Sequence, residues 1–144
     1  MPPAQLPGPD LTTPEPNKSL LGYVMLTHGL RLYHSGDCVP YEGLTEAVRA
    51  LSPEVALLPV NGRDAERTTN RIAGNFTLDE AIHLCVVAGV PTLIPHHFGL
   101  FTFNTADPAE IDAAASRTRH PRLLRPDARH LFRLSQDGCF QGRP

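Results

Sequence analysis

Between Leu30 and Phe98 three short apolar runs alternate with two helical patterns, and each run stops at polar residues able to hold a ligand. The runs are LRLYH at 30–34, VALLPV at 55–60 and TLIP at 92–95. Asp37 follows the first, Asn61 to Asp64 the second, and His96 with His97 the third. Strands separated by helices in this order need crossover connections, which predicts a parallel sheet and an α/β fold. In such sheets ligands gather at the carboxyl ends of the strands, where loops converge and helix N-termini point inward. The three polar groups are therefore expected on one rim.

The flanking signals are local. LGYVMLT at 21–27 and LRLYH at 30–34 are β-rich runs separated by His28-Gly29, the two-residue spacing of a tight hairpin with Gly29 at positive φ. Leu44, Ala47, Val48 and Leu51 recur at helical spacing, and Ser52-Pro53 ends that helix. VALLPV is apolar on consecutive positions, as a strand covered on both faces should be. The polar stretch from Asn61 to Asn75 has too few apolar positions for a core helix and is expected to be a long loop over the rim. Thr77 and Glu80 make a capping box for a helix bearing Leu78, Ile82, Cys85 and Val86, closed by Gly89. Another helix starts at Asp107-Pro108, and Leu123–Arg125 and His130–Leu134 are short strand candidates.

Three segments follow. Residues 1–19 carry Pro2, Pro3, Pro7, Pro9, Pro14 and Pro16 and are expected to be a flexible lead-in, residues 20–135 form the domain, and 136–144 are a polar tail. At 144 residues the chain can bury one core. No apolar run approaches the roughly 20 residues of a membrane span, and the first residues lack the basic and apolar regions of a secretory signal, so a cytoplasmic protein is expected. Acids and bases are interspersed at a net charge of −2, which gives no support to nucleic-acid binding. Cys38, Cys85 and Cys139 lie far apart with no CxxC pair, so neither a disulfide framework nor a cysteine zinc knuckle is indicated.

A carboxylate and imidazoles at adjacent strand ends suit a divalent metal, since Asp supplies a hard oxygen and neutral His a nitrogen. Two ligands fall short of the roughly three that catalytic zinc takes from protein. His34, Cys38 and His96 are the further candidates. Side chains alternate along a strand, so His96 and His97 cannot both face one site while the strand stays regular. Each candidate also has a plainer explanation. Asp37 suits an Asx turn, Asn61-Gly62 a simple turn, Arg63 a surface cation, Asn75 and Asn104 turns or caps, and the FGLFTF aromatics a lid or core packing.

Taken in order, GYVMLTHGLRLYHSGD, VALLPVNGRD, AGNFTLDEA, IPHHF and FNTADP resemble the second half of the metallo-β-lactamase superfamily, in the branch similar to L-ascorbate-6-phosphate lactonase. The likeness runs from about Ser19 to about Asp127. It implies the carboxyl-terminal half of an αβ/βα sandwich with a metal site at its edge. It further implies metal-ligand positions for Asp37 and His97 and a substrate-side loop at Asn61 and Arg63, with His96 and Cys38 kept as the candidate auxiliary ligands. The cofactor would be a divalent ion, zinc or manganese. The activity would be hydrolysis of a small-molecule ester, lactone or phosphoester by metal-activated water.

Two features depart from the family pattern. G-D-C stands where G-D-T is usual, which puts Cys38 beside the metal position. The His-x-His-x-Asp-His motif that supplies most of the family's ligands occurs nowhere. The chain is therefore expected to be a carboxyl-terminal half-domain, active only when an amino-terminal half-domain or a second copy completes the centre, or else an inactive interaction module.

Overall fold

The computed structural model describes residues 4–8, 20–129, 131–135 and 138–142. The hairpin forms as its turn requires. His28 and Gly29 both take positive φ, at 47° and 80°, and join β2 (Leu20–Thr27) to β3 (Leu30–His34). Two left-handed residues match the twist of the flanking strands, which pair antiparallel with Thr27 opposite Leu30. From β3 the chain runs through α1 (Leu44–Leu51), β4 (Val55–Pro59), α2 (Ala65–Thr69), α3 (Leu78–Ala88), β5 (Thr92–His96), α4 (Pro108–Arg117) and β6 (Arg122–Leu123). The strands β3, β4, β5 and β6 are parallel neighbours in sequence order, as the alternation predicts.

Because each crossover advances one strand in the same direction and crossovers are right-handed, the helices gather on one face. Tyr33, Ala56, Leu58, Val60 and Leu93 meet Leu44 and Val48 of α1, Ala81, Leu84, Cys85 and Ala88 of α3, and Ile111 and Ala114 of α4 in a single core. The capping box of α3 is complete. Thr77 Oγ1 accepts from the Glu80 N–H at 3.2 Å, and Glu80 Oε2 accepts from the Thr77 N–H at 2.9 Å. Gly89 ends the helix at φ 76°.

The other face is covered less. Val55, Ile94 and Leu124 pack with Leu32 and Leu57 under Phe132 and Leu134. The latter two belong to β7 (Leu131–Ser135), which pairs with β8 (Gly138–Gly142) as a separate two-stranded sheet. Nearer the hairpin, Tyr23 and Met25 remain 39% and 47% exposed, on the side opposite buried Val24.

Three expectations change. Ala4–Gly8 of the expected lead-in forms β1, antiparallel to β2 at the sheet edge, where Pro7 costs no central ladder bond. Residues 1–3 and 9–19 of that lead-in lie outside the described residues, as does His130. The expected tail contributes β8. The expected loop after β4 contains α2, a five-residue surface helix capped by Asp64 and burying no side chain. Among the described residues no helix is long and apolar enough to cross a membrane.

Candidate metal centre

Asp37 hangs from the turn that ends β3. The turn is held on its strand side by the Ser35 N–H on the Leu57 carbonyl at 3.3 Å and by the Gly36 N–H on His34 Nδ1 at 3.0 Å. Gly36 takes φ 63°, and a side chain there would start 3.0 Å from the Leu21 carbonyl oxygen, so backbone shape favours glycine at this position.

His97 approaches from the other side. The ladder continues to His96, whose carbonyl accepts from the Val60 N–H at 3.0 Å, and His97 then adopts φ 61°. A left-handed non-glycine residue is unfavourable, and such conformations concentrate at functional sites. Here it ends the regular alternation that would have sent His97 to the opposite side from His96. The two rings lie 5.1 Å apart and tilted by 57°. His97 Nε2 lies 3.1 Å from Asp37 Oδ1, with the two side chains 45% and 42% exposed. Two residues sixty positions apart thus meet at the predicted edge, within reach of a ligand.

Behind this pair, His96 stacks on His34 with centroids 4.7 Å apart. Burial, then the neighbouring His34 and His97 charges, push the His96 imidazole down to about 3. Its Nε2 is buried without a hydrogen-bond partner. His34 is lowered too, by burial first and then by His97, with Asp37 opposing. Both rings are held neutral, the protonation state in which imidazole binds metals.

The remaining expected site residues lie elsewhere. Cys38 packs in the helix-side core at 2% exposure, its Sγ donating to the Val39 carbonyl at 3.4 Å. Burial, with the Asp37 charge adding, pushes its thiol up to about 12, so it is a neutral core thiol and not the thiolate a metal needs. Asn61 is 2% exposed with both ends of its carboxamide engaged inside the chain. Arg63 is clamped bidentate on Glu80, at 2.6 Å for each bond, and donates to the Asn75 carbonyl at 3.0 Å.

Asp37 and His97 offer the donor types of a zinc- or manganese-like ion. The 3.1 Å separation brings both donors within reach of one ion. Among the described residues, however, no group of three or more His, Cys, Asp or Glu side chains is arranged to hold an ion. The pair fits part of a centre and not the whole.

Sequence reasoning missed Asn75, Asn104 and Arg67, which with Asn61 form a polar network, buried at Asn75 and part-buried at Asn104 and Arg67. Asn and Arg in loops have ordinary turn and surface explanations, and only the three-dimensional meeting of these loops distinguishes them.

Comparison with known proteins gives the family of the chain. Residues 3–98 match the family model for the beta-lactamase superfamily domain. A metal-dependent hydrolase of Myxococcus xanthus is 31% identical over 103 residues, covering 69% of this chain and 33% of that protein. One of Aeropyrum pernix is 31% identical over 124 residues, covering 80% and 45%. Among solved structures, a metallo-β-lactamase fold protein of Bacillus subtilis superposes with a TM-score of 0.63 at 13% identity, covering 97% of this chain and 49% of that one. A metallo hydrolase of Ignicoccus hospitalis gives 0.60 at 18%, covering 98% and 52%. The chain thus spans from a third to about half the length of these relatives. With a matched family model over most of its length and the family's fold in its sheet and helices, this chain belongs to the metallo-β-lactamase superfamily.

Proposed function

We propose that the chain supplies Asp37 and His97 to the divalent-metal centre of a hydrolase, and that an amino-terminal half-domain packed on the open sheet face supplies the remaining ligands. The observation that carries this reading is the 3.1 Å meeting of a carboxylate and an imidazole at the strand-end rim, both half-exposed. The relatives' names, metal-dependent hydrolase, support it. A divalent ion, zinc or manganese, would polarise the scissile ester, lactone or phosphoester and activate water at neutral pH. The chain's own part is to aim two donors and to keep His34 and His96 neutral behind them. A lactonase-like small-molecule substrate is in keeping with the sequence likeness, as is a cytoplasmic location with the free thiols of Cys38 and Cys85. Asn61 and Arg63, expected on the substrate side, have their side chains engaged within the chain and would act on a substrate only through the loop they brace.

Calorimetric titration of zinc and manganese into the full chain, Asp37→Ala and His97→Ala tests the assignment. Each variant is expected to weaken binding by about tenfold or more. Equal affinity in all three proteins would overturn it. Hydrolysis of p-nitrophenyl esters, lactones and phosphoesters then separates catalysis from a second reading, an interaction module without chemistry. That reading draws on exposed Tyr23 and Met25 and predicts assembly with no turnover.

A further inference from the structure

The backbone around Asp37 is gripped from two directions. On one side stand the Leu57 and His34 contacts of the turn; on the other, both backbone groups of Cys38 are taken by a single dipeptide. The Cys38 N–H donates to Asn75 Oδ1 at 2.8 Å, and the Cys38 carbonyl accepts from the Phe76 N–H at 2.9 Å. Asn75 is 2% exposed and spends its other end inward as well. Its Nδ2 donates to Asn61 Oδ1 at 3.0 Å, and Asn61 Nδ2 donates to Asn104 Oδ1 at 2.7 Å. Arg67 Nη1 also donates to Asn104 Oδ1, at 3.0 Å.

The order of these amides is over-determined. A backbone N–H at one end and a guanidinium at the other are donors only, so they require an oxygen of Asn75 and an oxygen of Asn104. Asn61 must then point its nitrogen at Asn104 and its oxygen at Asn75. Reversing any one amide would set like groups against each other in a buried place.

The relay also joins the segments that matter. Asn75 holds the loop of Asp37, Asn61 begins the loop after β4, and Asn104 lies in the loop that leaves His97. That last loop is closed at its base by the Gly99 N–H on Thr105 Oγ1 at 2.6 Å. The frame is pinned further where Gly62 and the Asn75–Phe76 segment exchange backbone bonds of 2.9 and 3.0 Å. Gly74 permits this approach, since a Cβ there would lie 2.4 Å from the Arg63 Cβ.

We infer that Asn75 is a positioning residue, which with Asn61 and Asn104 sets the separation of Asp37 and His97 by tying their two loops together. Its functional meaning rests on the metal-centre reading above, but its test does not, because neither readout needs an ion. The full chain is compared with Asn75→Leu, which removes both amide bonds, and Asn75→Asp, which keeps an oxygen for the Cys38 N–H. Glu54→Ala serves as a control that removes the bonds to Arg31 at the far end of β3 without touching the relay. Hydrogen exchange reads the Cys38 amide, and NOEs between the His97 ring protons and the Asp37 side chain read the closeness of the pair.

In Asn75→Leu the Cys38 amide is expected to exchange about tenfold faster or more, and the NOEs between His97 and Asp37 to be lost. Asn75→Asp should retain Cys38 protection. Glu54→Ala should lower Tm and leave both signals in place. Should Asn75→Leu not fold, Asn104→Ala reads the relay from its more accessible end, with a smaller loss of those NOEs. Wild-type signals in Asn75→Leu or, where it does not fold, in Asn104→Ala, or equal changes in Glu54→Ala, would overturn the inference, while an ion held equally by wild type, Asp37→Ala and His97→Ala would overturn only the function proposed above.

Discussion

The two faces of the main sheet are built to different standards. On the helix face, Tyr33, Leu58, Val60, Leu93 and Ile111 are at most 2% exposed and belong to one continuous core. On the other, Val55, Ile94 and Leu124 lie at 3–8%, and the covering ends before Tyr23 and Met25. The difference teaches that cohesion within this chain comes chiefly from the helix side. The opposite side carries His34 and the orphaned Nε2 of His96 and is suited to receiving a second layer. The rim with Asp37 and His97 lies where the two faces meet the loops.

Neighbouring residues on β5 make the comparison sharp. Leu93→Ala, on the helix side, is expected to cost about 3 kcal/mol in urea unfolding, because a sealed core cannot collapse around the cavity. Ile94→Ala, one residue on and facing the thinner layer, should cost about 1.5 kcal/mol, since that site can relax or admit water. Equal costs would break the contrast between faces.

Glu80→Ala removes half of the capping box on α3 together with the Arg63 pair, and about 1 kcal/mol of loss is expected. Glu80 also gives a pH dependence of known sign. Its carboxyl is held below the usual range, first by the Arg63 hydrogen bonds, with the Thr77 backbone and the Arg63 charge adding. A lowered folded-state value contributes stability that is present above the ordinary glutamate range and is lost as pH falls through the folded value. Stability should therefore decline below about pH 4, with a shallower slope in Glu80→Gln. Chemical denaturation across that range checks it.

The smallest effect belongs to the open face. Met25→Ser should change the stability of the chain by less than about 0.5 kcal/mol, while reducing any self-association seen by light scattering. A large stability loss would mean that Met25 is packed within this chain after all.

What was legible in the sequence was what local chemistry determines. The His28-Gly29 turn, the Thr77–Glu80 box and the Asp107-Pro108 helix start each depend on residues within a few positions of one another. The meeting of Asp37 with His97 followed from a topological rule, strand ends on one rim, together with a family likeness. The alternation argument had His96 and His97 unable to share one site while the strand stays regular; a left-handed His97 ends the strand and meets Asp37, and His96 stacks inward on His34. The burial of Cys38 was not legible because adjacency to Asp37 in sequence says nothing of which way the turn sends its side chain. The Asn75 relay was invisible for a related reason: its members look like turn residues until three loops converge. Pro7 argued against a central strand and was silent about an edge one, where β1 lies.

The most direct test of the account is the metal content of the purified chain measured alongside its mass in solution, for wild type, Asp37→Ala and His97→Ala. With only two donors assembled, the chain by itself should retain no firmly held ion, and an ion should appear when an amino-terminal half-domain of a relative is added and vanish in both variants. A tightly bound ion in the wild-type monomer, or one indifferent to Asp37 and His97, would contradict it.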